Sequence, residues 1–589
     1  MPAPLSAPAA ARASEIPTSR LRRVARFARP DQLFFILAIA IGIIAGMAVV
    51  LFRFAIALVQ ARVLGPELGR APLRSALAPA AVGLLIGVLV LRFFPGARGS
   101  GVNQTKAALY IYDGYIAART VVGKFITAAL AIGSGQSLGP EDPSLQVGAG
   151  LASLLGRHLN LSRARQRLLA PLGAAAGLAA AFNAPIAAVL FVIEEVIGRW
   201  SSGVIGAVVL AAVSSTVVAR AFFGDHPLFT APPFELRHAS ELLAYAALGI
   251  VGGFGSLLFV KLVAWLRPRL LAQPRAVRYC LPAVAGLVIG VVGIWFPQIM
   301  GAGYGAINRA MGGAYLWPTL ALLSLLKIGA TAISFTSGAP GGMFAPTLFI
   351  GAMLGGAVGG FEHWLLPGLT APVGVYALVG MGTAFAGILR APMTSVFMVV
   401  EVSGSYNIVL PLMISNTLAY VIARRWQPTP IFDLLTQQDG LTLPSMEERR
   451  EEQVLHVEDA MRPPHGTEGR PVPPVIAAER PVSEAWLKAQ TAPRKFVLVE
   501  GGQGAWYGVT LDRLAPLVVR AQEGRPLLEA LDEAWRLPVL YPDQPLEAFL
   551  REAGDEPLLP VIHRAHGVLL GVLTLTDVLA AYHHAEPMP

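Results

Sequence analysis

The sequence predicts an all-α polytopic membrane protein made of two copies of one half, followed by a soluble α/β domain. Three observations carry this. Of 589 residues, 54% are hydrophobic and only 14% charged, where a soluble globular chain carries about 25% charged residues. Landmarks in the first part of the chain recur in the second at a nearly constant offset. After Arg424-Arg425-Trp426 the composition turns polar and acidic.

A helix needs about 20 apolar residues to cross a bilayer. Several runs approach or exceed that length, and the first, Leu33 to Val59, is interrupted only by Arg53. The net charge is +9, yet residues 439–589 hold 14 Lys+Arg against 23 Asp+Glu, a net −9, which leaves +18 on residues 1–438. The basic excess lies with the membrane part, so it fits positive-inside anchoring and argues against nucleic acid as a partner. Residues 1–30 form a basic segment, with Arg12, Arg20, Arg22, Arg23, Arg26 and Arg29 against Glu15. No apolar run precedes the first span, so this segment reads as a cytoplasmic topology anchor and not as a cleavable signal. The single cysteine, Cys280, excludes an internal disulfide.

The repeat is read from three landmarks. Phe94-Pro95 leads to Gly99-Ser100-Gly101, and Phe296-Pro297 leads to Gly301-Ala302-Gly303 at an offset of 202. Lys124 stands eleven residues before Gly135, and Lys327 eleven before Gly338, an offset of 203. Glu194 follows Pro185 by nine residues and Glu401 follows Pro392 by nine, an offset of 207. These define halves at about 32–222 and 240–425. Duplicated membrane halves with matched Gly/Pro-interrupted helices indicate a transporter-like fold with its site at the repeat interface. The relative orientation of the halves stays open at this level. The apolar segments Ser144–Leu155, Phe344–Val358 and Ala391–Val400 are short, which predicts re-entrant or half-spanning helices.

The stretch Gly135-Gln-Ser-Leu-Gly139-Pro-Glu-Asp-Pro143 sets two carboxylates, Glu141 and Asp142, between prolines in an apolar region. Glycine, serine and proline there predict a broken helix that restarts in the membrane. Such a start offers free backbone N–H groups to an anion, and a carboxylate at the same place competes with that anion. Few other acids lie deep in apolar sequence: Glu194, Glu195 and Glu401. A membrane carboxylate is a candidate proton carrier. Glu194 and Glu401 are repeat equivalents, which favours a structural bond within the fold. Glu195 has no acidic twin, since Val402 holds the matching place, so it is the better functional candidate.

Over about 31–436 these residues resemble the CLC chloride channel and transporter family. The signatures are Gly99-Ser100-Gly101-Val102-Asn103, Gly139-Pro140-Glu141-Asp142-Pro143 and the unaltered Gly342-Met343-Phe344-Ala345-Pro346, with Phe191-Val192-Ile193-Glu194-Glu195 between them. The resemblance implies inverted-topology repeats, a homodimer and one anion pathway per subunit. By position, Ser100 would donate its hydroxyl to a central anion, and the backbone N–H groups of Met343 and Phe344 would add to it. Glu141 would be the gate, entering the anion path when ionised and leaving it when protonated. Glu195 would relay protons on the inner side. With both glutamates present, the resemblance favours proton-coupled chloride antiport over a passive channel, and Ser100 favours chloride over nitrate. Three departures stand out. Pro140 removes an N–H donor, Asp142 adds charge near the outer anion site, and Phe432 replaces a tyrosine, keeping its ring and losing its hydroxyl.

Residues 437–453 read as a linker and 454–589 as a soluble α/β region, with strands such as Lys495–Val499 and Gly567–Leu575. Val457-Glu458-Asp459-Ala460-Met461 resembles the opening of a CBS domain, and Leu537 through Asp577 a second copy. The CBS resemblance implies that Thr574 and Asp577 contact phosphate and ribose, so an adenine nucleotide is one reading and a purely structural pair the other. No cofactor is required and no metal site is expected. The protein is expected in a bacterial inner membrane, multi-pass, with both termini cytoplasmic. The rivals are a voltage- or proton-gated chloride channel of the same fold, a divalent-metal transporter, and a membrane-embedded enzyme. The last finds no His-Glu-x-x-His, and His158, His226, His238 and His363 are scattered.

Overall fold

The computed structural model describes residues 30–65, 72–159, 161, 163–198, 202–230, 232, 241–365, 370–441, 455–463, 472–492, 495–501, 505–519, 524–554, 556–564 and 567–584. The arginine-rich segment before residue 30 and most of the linker, 442–453, lie outside the described residues. The chain divides into two compact units, residues 1–449 and 450–589.

The described residues of the first unit form helices joined by loops. Its first half holds α1 (Pro30–Val63), α2 (Pro72–Val88), α3 (Val102–Tyr110), α4 (Ala118–Gly133), α5 (Glu141–His158), α6 (Arg163–Phe182), α7 (Pro185–Phe191) and α8 (Ser202–Phe223). The second half repeats them as α9 (Glu241–Leu271), α10 (Arg275–Trp295), α11 (Tyr304–Met311), α12 (Trp317–Thr336), α13 (Phe344–Leu365), α14 (Val373–Leu389), α15 (Pro392–Ser403) and α16 (Val409–Trp426). A short α17 (Ile431–Gln438) follows. Among the described residues, seven helices are long and apolar enough to cross a membrane, so this is an integral multi-pass membrane protein. Exposed Ile36, Ile43, Leu51 and Leu58 on α1 supply the apolar outer face that lipid requires.

The halves are inverted, and glycine packing shows it. An added Cβ at Gly83 would sit 2.3 Å from the Pro282 carbonyl oxygen, and one at Gly87 2.0 Å from that of Tyr279. Gly286 and Gly290 approach the Pro79 and Ala76 carbonyls in the same way. Residue numbers rise along α2 as they fall along α10, so these two equivalent helices pack antiparallel. Small residues permit that backbone contact. The same logic repeats inside each half, with Gly148 against the Gly173 carbonyl at 2.2 Å and Gly351 against that of Gly380, also 2.2 Å.

Two of the helices predicted to be short are longer. Glu141-Asp142-Pro143 form the first turn of α5, which is 18 residues long, and α13 is 22 residues long and continues past Val358 to Leu365. Both are enclosed by protein along most of their length; the polar start of α5, Glu141-Asp142-Pro143, is buried among other helices, whereas the last turn of α13, with His363 and Trp364, is exposed.

The second unit repeats a β-α-β-β-α order. In the first copy β1 (Val475–Ala477) runs parallel to β2 (Phe496–Glu500), which pairs antiparallel with β3 (Trp506–Thr510). In the second, Leu540 bridges parallel to Val561 of β4 (Leu559–Ile562), which pairs antiparallel with β5 (Leu569–Leu573). The lead-in segments are exchanged. The Val457–Ala460 turn, expected to open the first copy, packs into the second, where Val457 joins Leu546, Phe549, Leu559 and Leu573 in one core. Conversely, Leu527 of the second lead-in lies in the first copy's core with Val482 and Val497.

Candidate anion-binding site

The two signature loops meet face to face. Gly139 N–H donates to the Gly342 carbonyl at 2.9 Å, and Gly342 N–H to the Gly139 carbonyl at 2.8 Å. This antiparallel bridge sets the starts of α5 and α13 side by side, with their first-turn N–H groups available. Two carboxylates take them. Glu141 Oε2 accepts the Ala345 N–H at 3.3 Å, and Asp142 Oδ2 accepts the Met343 N–H at 3.1 Å. Both acids are fully buried. Glycine is needed at the bridge for space, because a Cβ at Gly139 would stand 2.3 Å from Glu141 Oε2, and one at Gly342 2.8 Å from Asp142 Cγ.

Ser100 joins this group from the other side. Its Oγ accepts the Val102 N–H at 3.1 Å at the start of α3, and its hydroxyl faces the Asp142 carboxyl group. The loop is held by Lys124, whose buried ammonium donates to the carbonyls of Ala97 and Gly99. Lys327 does the same in the other half, donating to Ile299 O at 2.9 Å and Gly301 O at 2.7 Å. The two lysines that served as repeat landmarks are therefore loop staples, fully buried and satisfied by carbonyl oxygens.

Behind the helix starts lies an aromatic cluster. The ring centroids of Phe344 and Phe191 are 4.8 Å apart, those of Phe344 and Phe432 6.4 Å, and those of Phe191 and Phe432 6.3 Å. A cavity of about 700 Å³ reaches Pro140 and is lined by Arg53, Gln60, Gln298, Arg309 and the Gly301–Gly303 loop. Arg53 faces the Glu141 carboxylate electrostatically while its guanidinium lies 3.9 Å from the Phe223 ring centroid.

Residues 82–424 match the family model described as voltage gated chloride channel. The chain belongs to this family, the CLC family. A ClcB-like protein of Ralstonia nicotianae is 37% identical over 406 residues, 66% of this chain and 93% of that one. The H(+)/Cl(-) exchange transporter ClcA of Vibrio campbellii is 35% identical over 354 residues, 59% of this chain and 75% of that one. The crystal structure of a slow cyanobacterial Cl−/H+ antiporter covers 70% of this chain and 98% of its own, with a TM-score of 0.64 and 27% identity. A eukaryotic CLC transporter shares the fold across 95% of this chain and 98% of its own, with a TM-score of 0.61 at 21% identity.

Within this CLC chain, Ser100, Glu141, Met343, Phe344 and Phe432 come together around the paired helix starts. Asp142 departs from its expected place. It engages the Met343 N–H, a donor assigned to the central anion, because a residue one step along a helix turns about 100° from its neighbour. Glu195 lies apart from the helix starts, in the π-helical continuation of α7 (Val192–Ile197). There Lys106 Nζ donates to Glu195 Oε1 and to Asp433 Oδ1, each at 2.8 Å, with all three residues buried. Sequence reasoning missed Lys106. Its signal was a lone cation one turn after the Ser100 loop, which a buried position obliges to find acids.

Glu194 and Glu401 hold the structural role read for them. Glu401 accepts the Ile186 and Ala187 N–H groups at 3.0 and 2.7 Å, at the start of α7. Glu194 Oε2 accepts the Thr394 N–H at 3.1 Å and its hydroxyl at 2.8 Å, at the start of α15. Each half caps a helix of the other.

In the second unit, Thr574 and Asp577 turn toward each other and toward Arg462. Asp577 Oδ2 accepts from the Thr574 hydroxyl at 2.6 Å, and Oδ1 accepts from Arg462 Nε at 2.8 Å. Both are buried, and Arg462 donates to each of them.

Proposed function

We propose that this CLC protein exchanges chloride for protons across the membrane, with Glu141 as the gate. The carrying observation is the Glu141 carboxylate on the Ala345 N–H at the start of α13. A carboxylate there mimics a bound anion, and protonation removes both its charge and its claim on the donor. Ser100, Met343, Phe344 and Phe432 then bound the chloride position, and Glu195 passes the proton inward. The arginine-bearing cavity beside Pro140 is the outer approach. The exchange-transporter name of the Vibrio relative and the antiporter structure support this reading.

The chain works as a homodimer in a bacterial inner membrane, with both termini cytoplasmic. Residues 31–436 form the transport domain, and the CBS-like pair at 454–589 adjusts its activity. The engaged state of Thr574 and Asp577 favours a structural pair over a nucleotide receptor.

A second reading, a passive chloride channel, is favoured by one observation: the Lys106 ammonium on Glu195 supplies a fixed positive charge where a proton would otherwise be taken up. Purified protein in liposomes separates the two. Under a chloride gradient alone, the exchanger drives protons uphill and Glu141→Ala abolishes that movement. Chloride flux with no proton movement establishes the channel instead.

A further inference from the structure

Exchange gated by Glu141 gives no role to Asp142. This side chain is fully buried, with Oδ2 on the Met343 N–H at 3.1 Å. Its Oδ1 is buried without a hydrogen-bond partner among the described residues. The Ser100 hydroxyl faces the same carboxyl group. One donor assigned to the central anion, the Met343 N–H, is thus taken by Asp142, beside the Ser100 hydroxyl. Space around it is closely matched: a Cβ at Gly342 would lie 2.9 Å from Oδ1, and one at Gly101 2.8 Å from the Asp142 carbonyl oxygen. The charged groups that face it are Glu141 and Lys124. Lys124 is already committed to the Ala97 and Gly99 carbonyls, so its ammonium attracts from a distance. Glu141 repels, and its own Oε1 is likewise buried without a partner among the described residues.

We infer that Asp142 is a tethered competitor for the transported anion. Its carboxyl group holds the position between the Met343 N–H and Ser100, and chloride takes that position only when Asp142 leaves it. The inference rests on the chloride-exchange reading of this site. An anion and a fixed carboxylate cannot share one helix-start donor, since each needs the same N–H and the two charges repel. Chloride binding is therefore linked to neutralisation of two carboxylates in this chain, Glu141 and Asp142. With Asp142 removed, it is linked to one. By linkage, acidification must tighten chloride binding, and more steeply in the wild type than in the variant.

Isothermal titration of chloride into the detergent-solubilised full chain tests this, with Asp142→Gly and the nearly isosteric Asp142→Asn beside the wild type over a pH series. Near neutral pH, Asp142→Gly is expected to bind chloride at least about tenfold more tightly. Asp142→Asn is expected to bind more tightly than the wild type as well, because it keeps the shape and loses the charge. Wild-type affinity should climb more steeply on acidification than that of either variant. Equal affinities and equal pH slopes in all three proteins, with chloride flux retained in liposomes, overturn the competitor role and leave the exchange reading standing. No chloride binding by any of the three, together with no chloride flux, overturns the exchange reading and this inference with it.

Discussion

The Lys106 ammonium lies 2.8 Å from Glu195 Oε1, and both side chains are fully enclosed by protein. The same ammonium lies 2.8 Å from Asp433 Oδ1, so one cation ties the π-helical turn of α7 to the segment that carries Phe432. Its removal leaves two carboxylates buried together. Lys106→Met is expected to lose about 3–5 kcal/mol of stability, whereas the triple variant Lys106→Met/Glu195→Gln/Asp433→Asn should recover most of it. Thermal unfolding in detergent measures both. A Tm for Lys106→Met equal to that of the wild type would contradict the pairing.

The caps exchanged between halves predict a stability effect without a transport effect. Glu401→Ala frees the Ile186 and Ala187 N–H groups and should cost about 1–2 kcal/mol. Glu401→Gln keeps an acceptor and should cost less. Glu194→Ala should act in the same direction through Thr394. Tm and proton-to-chloride stoichiometry are the two readouts, and only the first should move.

Glycine at 139 is required by the gate. An alanine Cβ there would fall 2.3 Å from Glu141 Oε2 and 3.1 Å from the Ala345 nitrogen. Gly139→Ala should therefore push the Glu141 carboxylate off its donor, so that liposome chloride flux persists with fewer protons moved per chloride. Unaltered coupling with normal folding would show that Glu141 tolerates the methyl group and sits elsewhere in the working protein.

Phe432 offers a gain-of-binding variant. Its ring already packs against Phe191 and Phe344, so Phe432→Tyr adds a hydroxyl at a position fixed by packing. A hydrogen bond to a charged acceptor contributes about 1.5–3 kcal/mol, so chloride affinity measured by titration should rise by about tenfold or more. An affinity equal to that of the wild type would mean that the hydroxyl does not reach the anion.

Much of the fold was legible because its determinants are local. Apolar run length marks spans, and Gly/Pro punctuation marks where helices break and restart. The offsets of Lys124/Lys327 and Pro185/Pro392 pair the halves from sequence alone. The candidate site was legible where a residue type is rare in its surroundings, as with Glu141 and Asp142 in apolar sequence. Lys106 was passed over because a lysine in a short helix resembles a surface residue until its burial is seen. The start of α5 lies outside its apolar stretch because a helix end enclosed by other helices needs no continuous apolar pattern, and α13 continues past its apolar stretch into an exposed last turn.

The sequence by itself determined the duplication, the polytopic class, the family and the set of acids that a membrane would not tolerate without purpose. Tertiary structure alone decided what each acid does. Glu401 meets Ile186 at a separation of 215 residues and Lys106 meets Asp433 at 327, and no periodicity carries information on such pairings. Inversion brings the α5 and α13 starts together, and rotation about a helix axis sends Glu141 to Ala345 and its neighbour Asp142 to Met343. Hydrogen-bond direction is a three-dimensional quantity, and it separates two adjacent carboxylates that the sequence presents as equals.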